Sequence, residues 1–455
     1  MERFLFKKCE VWCILLLLLV LLPAVGYWGF AFAKYEVFPY SIYTEIKEFV
    51  EGDPMGRTTV WDRFRREYDP VATWIVNHDA NLSADYKPVS LNEVAPTREK
   101  PRVFMSGPQP AYRVLIGVFD MKDSLWGAVL LDREGNVCHE WKLSGSDLRD
   151  PEGPEGILYG ATITPDGSII YSKQDLGKGV VKRDRNGTIV WINEGLYHHV
   201  VSPDEDFKHV WTFGRGPTVP FPELVKIDSE TGRTVKTIAM EDVYKANPHI
   251  HIFDHRTKDE ITNMPHPNDI EVLSSELASA FPMFKAGDLA INYHMNGLVF
   301  VIDPETLKVK FWYTGAGDGA HDVDFQENGL LTIFNNNYRA GWHEGFQEKF
   351  SEIVAISPVE HKHWVVVSGK QANLVTRTNG RHQFRDGNCV MFDSALQGRF
   401  TELDSETGRV TFDFVNVYNE NEGKALLVSE SFQFPEGYFT FVDKIGSDEP
   451  KASPQ

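Results

Sequence analysis

Cysteine and positive charge are both scarce in this chain, and each shortage excludes a class of function. The 455 residues include four cysteines, none of them in a CxxC pair or with the spacing of a zinc ligand set. A disulfide-rich scaffold and a structural zinc domain are therefore excluded. The formal net charge is -19, with acidic residues spread along the chain, so the surface repels phosphate backbones. Nucleic acid is accordingly not an expected partner.

One long hydrophobic run stands at the N-terminus. Residues 11–33 are almost uninterruptedly apolar and follow Arg3, Lys7 and Lys8. This length spans a bilayer as a helix, and the basic flank should stay in the cytoplasm. The alternative is a cleaved signal peptide, because residues 31–33 form a small-x-small site. We favour a membrane anchor because the run is longer than an ordinary signal core. Both interpretations place the rest of the chain in the periplasm or another extracytoplasmic space.

Two cysteines, Cys138 and Cys389, belong to the part of the chain expected outside the cytoplasm. An oxidising compartment allows a disulfide between them, but two buried free thiols are equally consistent with the sequence. The spacing of the two residues leaves both alternatives open.

The chain is rich in one repeated sequence unit. An apolar strand is followed by an aspartate, a polar turn and a second strand, as in AVLLDREGNVCHEWKL. The unit occurs six times, with its anchor position at Asp132, Asp184, Asp228, Asp303, Ser357 and Asp404. Each copy predicts an antiparallel hairpin, because Asp, Asn and Gly favour tight turns between strands.

The spacing of the unit predicts the fold class. Successive anchors are 52, 44, 75, 54 and 47 residues apart, and further strands such as YGATITPDGSIIYSK lie between the hairpins. About four strands in each of six repeats are typical of a six-bladed β-propeller, an all-β fold. A large β-sandwich is the alternative, but sandwiches do not repeat a turn signature with this regularity.

The same pattern sets the expected domain boundaries. We expect a transmembrane anchor over residues 1–33, a linker with helical pieces over 34–105, the propeller over 106–445 and a disordered tail over 446–455. Strands after the sixth hairpin, KALLVSES and GYFTFV, are expected to pair with the first blade near AYRVLIGVFD. This pairing would close the ring and remove exposed sheet edges.

Histidines recur at one phase of the repeat. In a propeller the first strand of each blade lines the central channel, so residues at its entry end converge although they are distant in sequence. Counting back from the hairpins places several residues at this level: His198, His199, His266 and His321, with His294 on the strand after His266 and both Arg381 and His382 in the last blade. We therefore predict a cluster of imidazoles at one mouth of the channel.

Clustered neutral histidines support two kinds of chemistry. Three imidazoles in tetrahedral geometry bind a transition metal and leave a position open. Alternatively, one histidine is a nucleophile and the others are acid and base, which requires no metal. Local sequence does not decide between these alternatives.

Several motifs resemble the bacterial PAPS-independent arylsulfotransferases. The resemblance covers roughly residues 110–442 and rests on short segments: HH at 198–199, HPNDI at 266–270, AHDVDFQENGLLTIFNNN at 320–337 and DGNCVMFDSALQGRFTELDSETGRV at 386–410. It implies an exported six-bladed propeller that moves a sulfuryl group from a phenolic sulfate to a phenolic acceptor through a histidine, without a cofactor.

The resemblance also implies roles for particular residues. His321 corresponds to the histidine that carries the sulfuryl group, while His266 and one of His198 or His199 protonate the departing phenolate. Asn268 of the HPNDI segment is expected to bind the substrate, together with His294 and the nearby Arg339 and Arg381. Among nearby aromatic residues, Trp312, Tyr338 and Trp342 are candidates for stacking on the aryl ring.

One departure from the family pattern concerns the sulfate-binding residue. Where the family has an arginine on the strand after its His-x-Asn segment, this chain has His294 in INYHMNG. Arginine is a permanent bidentate partner for sulfate, and histidine is not. Two other hypotheses therefore stay open: a non-catalytic propeller that binds a ligand or partner protein at the mouth, and a metal-dependent hydrolase or lyase that uses the same histidines.

Overall fold

The computed structural model of the chain describes residues 74–92, 99–107, 112–122, 124–143, 158–173, 179–214, 223–251, 267–294, 297–338, 350–385 and 389–442. Residues 74–455 belong to one structural unit. The predicted membrane anchor and the predicted tail lie outside the described residues. Among the residues that are described, no helix has the length and apolar character needed to cross a membrane.

The described part is mostly β, and six antiparallel sheets of at least four strands make up nearly all of it. We number the sheets 1 to 6 along the chain. The strands of each sheet are given in order, starting from the edge that lies nearest the neighbouring large sheets, which we call the inner edge. Sheet 1 contains β29 (Val428–Phe434), β4 (Tyr112–Met121), β5 (Ser124–Leu131) and β6 (Val137–Lys142). Sheet 2 contains β7 (Leu158–Ile163), β8 (Ile169–Lys173), β9 (Val180–Arg183) and β10 (Ile189–Asn193). Sheet 3 contains β11 (Tyr197–Pro203), β12 (His209–Gly214), β13 (Glu223–Asp228) and β14 (Thr234–Ala239).

The other three large sheets repeat this design. Sheet 4 contains β15 (Pro267–Val272), β16 (Leu289–Tyr293), β17 (Leu298–Ile302) and β18 (Val309–Tyr313). Sheet 5 contains β19 (His321–Phe325), β20 (Leu331–Asn335), β21 (Glu352–Ser357) and β22 (Lys362–Ser368). Sheet 6 contains β23 (His382–Arg385), β24 (Cys389–Ser394), β25 (Arg399–Asp404) and β26 (Val410–Val415), followed by β3 (Arg102–Met105) and β2 (Lys87–Pro88).

A small seventh sheet and a few short helices complete the described secondary structure. The small sheet contains β1 (Ile75–Asn77), β28 (Lys424–Leu426) and β27 (Val417–Asn419). One α-helix, α1 (Met240–Ala246), follows β14, and 3-10 turns cover Leu277–Ala280, Gly369–Ala372, Ala395–Gln397 and Glu420–Glu422.

The six predicted hairpins are all present, and their anchor residues explain why the unit repeats. Each hairpin joins the strands that come third and fourth from the inner edge. The Oδ1 atom of Asp184 accepts hydrogen bonds from the backbone N–H groups of Asn186 and Thr188, both at 2.9 Å. In the fifth copy Ser357 Oγ accepts from Glu360 N at 3.1 Å. A side-chain oxygen at this position therefore satisfies backbone donors that the turn leaves unpaired.

Polar contacts link the inner edges of neighbouring sheets one after another. They run from sheet 1 to sheet 6 and back: Gly160 N to Glu430 Oε1, Ser172 Oγ to His199 O, Ser202 Oγ to Glu271 Oε2, Val323 N to Asp269 Oδ2, His382 N to Asp322 Oδ2, and Arg381 Nη1 to Glu430 Oε2. Apolar clusters fill the space between sheets; Phe213 of sheet 3, for example, belongs to one cluster with Tyr293 and Phe300 of sheet 4.

Both ends of the described chain contribute strands to the large sheets. The predicted pairing of the C-terminal segment with the first blade is confirmed, because β29 pairs antiparallel with β4. The GYFTFV segment, in contrast, is a turn whose Thr440 N–H donates to Pro165 O at 2.9 Å. Of the predicted linker over residues 34–105, residues 74–92 and 99–105 are described. They include β1, which pairs with β28, and β3, which pairs with β26 and β2 and so has its backbone groups satisfied on both sides.

Cys138 and Cys389 are free thiols on different sheets. Cys138 lies on β6 and Cys389 on β24. Burial raises the pKa of both thiols to about 11, so each is protonated at neutral pH.

A buried ion pair joins sheets 1 and 6. Arg113 on β4 and Glu402 on β25 are 0% and 1% exposed, and the guanidinium donates to both carboxylate oxygens, at 2.5 Å and 2.9 Å. The guanidinium also lies 3.8 Å from the centroid of the Phe412 ring. Each charge depends on the other because neither reaches water.

Removing one partner of this pair should destabilise the chain strongly. Arg113→Met leaves the Glu402 charge buried and should lower the free energy of unfolding by about 3–5 kcal/mol. The double variant Arg113→Met/Glu402→Leu should recover most of the loss, because no charge remains. Urea unfolding measures both effects. Arg133→Met, at an ion pair whose side chains are 49% and 79% exposed, is the control. A loss for Arg113→Met as small as that of the control would contradict the prediction.

Candidate active site

Five of the six inner strands carry an irregularity of register at the same level. The register shifts lie between Tyr159 and Ala161, His198 and Ser202, Pro267 and Asp269, His321 and Val323, and Val428 and Glu430. A bulge inserts a residue without a partner, bends the strand and turns a side chain in a new direction. The inner edges therefore present irregular backbone to one another at this level.

Left-handed backbone accompanies these bulges. Gly160, His199 and Asp322 have φ values of 58°, 53° and 50°. A Cβ atom on Gly160 would lie 2.1 Å from the carbonyl oxygen of His199, so only glycine fits between sheets 2 and 3 here. Before β23, Asn379 and Gly380 also have positive φ, at 61° and 120°. Non-glycine residues adopt this conformation rarely, and such strain is frequent at functional sites.

A cavity opens where the bulges meet, and every sheet contributes to its lining. One lining residue can be named for each sheet in turn: Glu430, Tyr159, His199, Asn268, His321 and Arg381. The wall is therefore polar and contains imidazole, amide, phenol, carboxylate and guanidinium groups. Small polar clefts of this kind orient ligands through a few fixed groups.

Three histidines from three sheets lie close together, and two of them, His199 and His321, line this cavity. The ring centroids of His294 and His321 are 4.8 Å apart, and those of His199 and His321 are 6.3 Å apart. His199, His294 and His321 are 8%, 6% and 8% exposed. Residues about 120 positions apart in sequence thus converge, which is the arrangement that the repeat phase predicts.

His321 is buried and neutral. Burial lowers the pKa of its imidazole to about 4, although hydrogen bonds to Asn336 and Gly319 act in the opposite direction. At neutral pH one ring nitrogen therefore keeps an unprotonated lone pair. A neutral imidazole is the form that attacks an electrophile.

Two buried amides from sheet 4 fix the residue that precedes His321. The Nδ2 atoms of Asn268 and Asn292 both donate to the carbonyl oxygen of Ala320, at 3.2 Å and 2.7 Å. The Oδ1 atoms of the two amides have no hydrogen-bond partner among the described residues. Asn268 belongs to the predicted site, whereas Asn292 lies on β16 two residues before His294 and was not predicted.

The other predicted site residues fall into three groups. The His198 ring lies beside His199 with a centroid distance of 3.9 Å, and it is His199 that lines the cavity. Arg381 lines the cavity and is ion-paired with Glu430 at 3.0 Å. His266, Arg339 and Trp342 lie outside the described residues. Of the other candidate aromatics, Tyr338 lies 5.3 Å from His294, but Trp312 is on the outer strand β18 and contacts His361.

Carboxylates form the part of the site that sequence reasoning missed. Asp269, Asp322 and Glu430 line the cavity, and Glu271 and Asp324 lie two residues further along β15 and β19. Three of them, Asp269, Asp322 and Asp324, stand inside motifs already singled out, HPNDI and AHDVDF, but nothing in those motifs distinguishes a buried acid from a turn residue. Glu430 in VSES gives no local signal at all.

Burial and mutual repulsion divide these acids into charged and neutral groups. Burial would raise the pKa of Asp322, but the charge and hydrogen bonds of His382 hold it below its usual value. The His382 Nδ1 atom is 2.6 Å from Asp322 Oδ2, and the neighbouring acids raise the pKa of that histidine. Burial and the Asp322 charge raise the pKa of Asp269 to about 8. At neutral pH Asp269 is therefore protonated, while Asp322 is ionised and paired.

The distances between candidate ligand atoms test the alternative of a metal site. Among the described residues, the group of three candidate ligands whose donor atoms lie within 4.8 Å of one another is Asp322, Asp324 and His382. The members of the predicted histidine cluster that the structure describes, His198, His199, His294 and His321, do not form such a group. His382 is already paired with Asp322 through Nδ1 and with Thr332 Oγ1 through Nε2, at 2.6 Å and 2.7 Å. Its ring nitrogens are thus used in hydrogen bonds.

The fold and the site place the chain among antiparallel β proteins that have buried histidines around a polar cavity. A comparison with protein families identifies the family. The family model described as arylsulfotransferase (ASST) matches residues 165–417, which is 253 of the 455 residues. The chain therefore belongs to the arylsulfotransferase (ASST) family. The matched range includes His199, His294 and His321.

No curated protein matches the chain. A protein of unknown function from Bacteroides caccae is 12% identical, with a TM-score of 0.45 over 71% of this chain and 98% of that one. TolB from Acinetobacter baumannii is 13% identical, with a TM-score of 0.44 over 73% and 68% of the two chains. The Dos1 propeller is 10% identical, with a TM-score of 0.38 over 71% and 73%. Similarity at this level carries no argument about function.

The buried proton on Asp269 should make stability depend on pH. The folded chain holds this proton between pH 3.8 and about 8, where the unfolded chain has released it. The raised pKa therefore costs stability, and the cost grows as pH rises through that window. Asp269→Asn removes the titration and keeps an oxygen for the Val323 N–H.

Unfolding midpoints measured across this pH range should show the effect. Relative to the wild type, Asp269→Asn should gain stability progressively from pH 4 to pH 8. Glu327→Gln, at the exposed turn of sheet 5, is the control and should shift the midpoints equally at all pH values. A pH-independent difference for Asp269→Asn would show that this carboxyl is not protonated in the folded chain.

Proposed function

We propose that the chain transfers a sulfuryl group from a phenolic sulfate ester to a phenolic acceptor, with His321 as the transient carrier. The observation that carries this proposal is the setting of His321: a neutral, buried imidazole that lines a polar cavity shared by all six large sheets. Membership of the arylsulfotransferase family supports the same class of reaction.

The proposed reaction has two steps, and in each step one bond to sulfur forms as another breaks. In the first, a ring nitrogen of His321 forms a bond to sulfur, the bond from sulfur to the aryl oxygen breaks, and the phenolate leaves with a proton from an acid. In the second, the acceptor phenol loses a proton and its oxygen attacks sulfur, which breaks the nitrogen–sulfur bond. The ring centroid of His199 lies 6.3 Å from that of His321, and this proximity supports a role for His199 as the acid of the first step and the base of the second. We propose the same role for His266.

The sulfate oxygens need donors that are fixed before the reaction begins. Arg381 lines the cavity, and the charges of Asp322 and Glu430 keep its pKa raised despite burial. We propose that Arg381 and Asn268 hold the sulfate oxygens, together with Arg339 and His294. Preorganised donors in a site with little water stabilise developing charge more strongly than donors in solution.

The finer architecture is part of the proposal. We infer that the six large sheets are the blades of one six-bladed β-propeller and that the cavity lies at one mouth of its central channel. The cycle of polar contacts between inner edges supports this arrangement, as does the pairing of β29 with β4. We also propose that the chain is held in a membrane by residues 1–33, with the sheets outside the cytoplasm.

A non-catalytic binding protein is the second candidate. The acids Asp269, Asp322 and Glu430 in the cavity wall, and His294 in place of the family arginine, favour it. Such a protein would bind a ligand at the same mouth without turnover. The experiments below separate the two candidates.

Replacing His321 should abolish sulfuryl transfer. The purified chain is mixed with 4-nitrophenyl sulfate and a phenol, and release of 4-nitrophenol is followed. His321→Asn should lower turnover to background, because the amide cannot form the covalent intermediate. His209→Asn removes an imidazole that is paired with Asp204 at 2.7 Å, away from the cavity, and should retain activity. Full activity of His321→Asn would exclude the carrier role, and inactivity of the wild type with all aryl sulfates would favour the binding protein.

The role of His294 can be tested by restoring the family residue. If His294 contacts the sulfate group, His294→Ala should raise the KM for the donor by about 10-fold or more, since a hydrogen bond to a charged group contributes about 1.5–3 kcal/mol. His294→Arg should lower the KM below that of His294→Ala. Steady-state kinetics with varied donor concentration measure both. Equal KM values for the wild type and the two variants would place His294 outside the sulfate site.

A further inference from the structure

We propose that Asn336 is a positioning residue for His321 and holds its imidazole in the tautomer with hydrogen on Nδ1. Nε2 is then the nitrogen that takes up the sulfuryl group. The chemical consequence rests on the proposed function, but the tautomer itself is a property of the resting chain. It can be measured without any substrate.

The partners of Nδ1 are both acceptors. The Asn336 Oδ1 atom lies 2.7 Å from His321 Nδ1, and the carbonyl oxygen of Gly319 lies 3.1 Å from it. A neutral imidazole has one N–H and one lone pair, and only the N–H nitrogen can face two oxygen acceptors. Nδ1 is therefore the protonated nitrogen.

The orientation of the Asn336 amide is fixed by its other contacts. Its Nδ2 atom donates to the carbonyl oxygens of Thr376 and Asn379, at 2.8 Å and 2.5 Å. Asn336 is 1% exposed, so water does not compete for these contacts. The opposite orientation would place the amide oxygen against two carbonyl oxygens and the amide N–H against the imidazole N–H. Oδ1 must accordingly face His321.

The contact at the other ring nitrogen agrees with this assignment. The backbone N–H of Asn379 donates to His321 Nε2 at 3.1 Å, which requires a lone pair on Nε2. The positive φ values of Asn379 and Gly380 belong to the turn that presents this N–H. Because the donor occupies the direction of the lone pair, sulfur can reach Nε2 only if this peptide or the ring moves. The structure therefore corresponds to a resting state in which the nucleophile is covered.

The tautomer matters for catalysis because it decides which nitrogen is free to attack. When Nε2 bonds to sulfur, positive charge spreads over the ring, and the Nδ1–H bond to Asn336 becomes stronger as the charge grows. The proton stays on Nδ1 and the electron pair of the broken bond leaves with the aryl oxygen. Loss of the correct tautomer in a histidine-dependent enzyme can cost about 10⁴-fold in kcat.

Nitrogen-15 NMR of the full chain labelled at histidine tests the proposal directly. The His321 signals are those missing from the His321→Asn spectrum, and they should show a protonated Nδ1 and an unprotonated Nε2. Asn336→Leu should shift His321 toward the other tautomer and lower kcat by about 10²- to 10⁴-fold, with a change in KM of less than about 3-fold. Asn335→Leu is the matched control: Asn335 accepts from Asp318 N and Asn337 N, and the hydrogen-bond partners of His321 are other residues. It should leave the His321 tautomer unchanged.

The possible results separate this inference from the proposed function. A wild-type His321 protonated on Nε2, or an Asn336→Leu variant with unchanged tautomer and unchanged kcat, would overturn the inference. Wild-type chain with the expected tautomer but no turnover would reject the proposed reaction and leave the positioning role intact. If Asn336→Leu does not fold, Asn336→Ala replaces it. The smaller side chain removes the acceptor for Nδ1 without adding bulk, so the same shift of the His321 tautomer and the same loss of kcat are expected.

Discussion

Loss of water around polar groups at the meeting point of the six inner strands is the constraint on which the site depends. Each bulge turns polar atoms toward the centre, where few of them can be solvated. An unpaired polar atom in such a place costs free energy, and an unpaired charge costs more. The inner edges are accordingly tied together by hydrogen bonds and ion pairs, such as those from Gly160 and Arg381 to Glu430. The contacts that hold neighbouring sheets together are thus also the walls of the cavity.

The same loss of water sets the protonation states that the proposed chemistry needs. Burial lowers the pKa of His321 to about 4 and raises that of Asp269 to about 8, so both groups are neutral near pH 7. A neutral imidazole is nucleophilic, and a neutral acid does not repel an anionic substrate. Asp322, in contrast, remains ionised because His382 is buried beside it. Burial therefore favours the neutral form of each of these groups, and the pairing with His382 is what keeps Asp322 ionised.

Those features that arise from local chemistry could be predicted from the sequence. The six hairpins follow from a side-chain acceptor placed before each turn, and Ser357 is predictable because a hydroxyl oxygen accepts the same hydrogen bond. Repeat phase placed His199 and His321 at one level, and His294 was placed on the neighbouring strand; the three rings do lie close together. Features that depend on neighbouring sheets could not be predicted, because Asp322 in its bulge and Glu430 on β29 are defined by what lies across the cavity. The strand β3 was missed because it pairs with β26, more than 300 residues away in sequence.

His294 lies beside His321, with 4.8 Å between the ring centroids, and a histidine carries no permanent positive charge. An arginine there would supply a permanent positive charge near His321, whereas the described cation at the cavity, Arg381, is engaged by Glu430 and lies 3.8 Å from Asp322. A sulfate ester would add a negative charge beside Arg381, Glu430 and Asp322. Its binding therefore requires either an interaction with Arg381 in addition to the existing ion pairs or a proton on a nearby acid. Because Asp269 is already protonated at neutral pH, the cavity accepts an anion more easily there than above about pH 8. Protonation of a buried acid thus reduces the negative charge that an anion meets in the cavity.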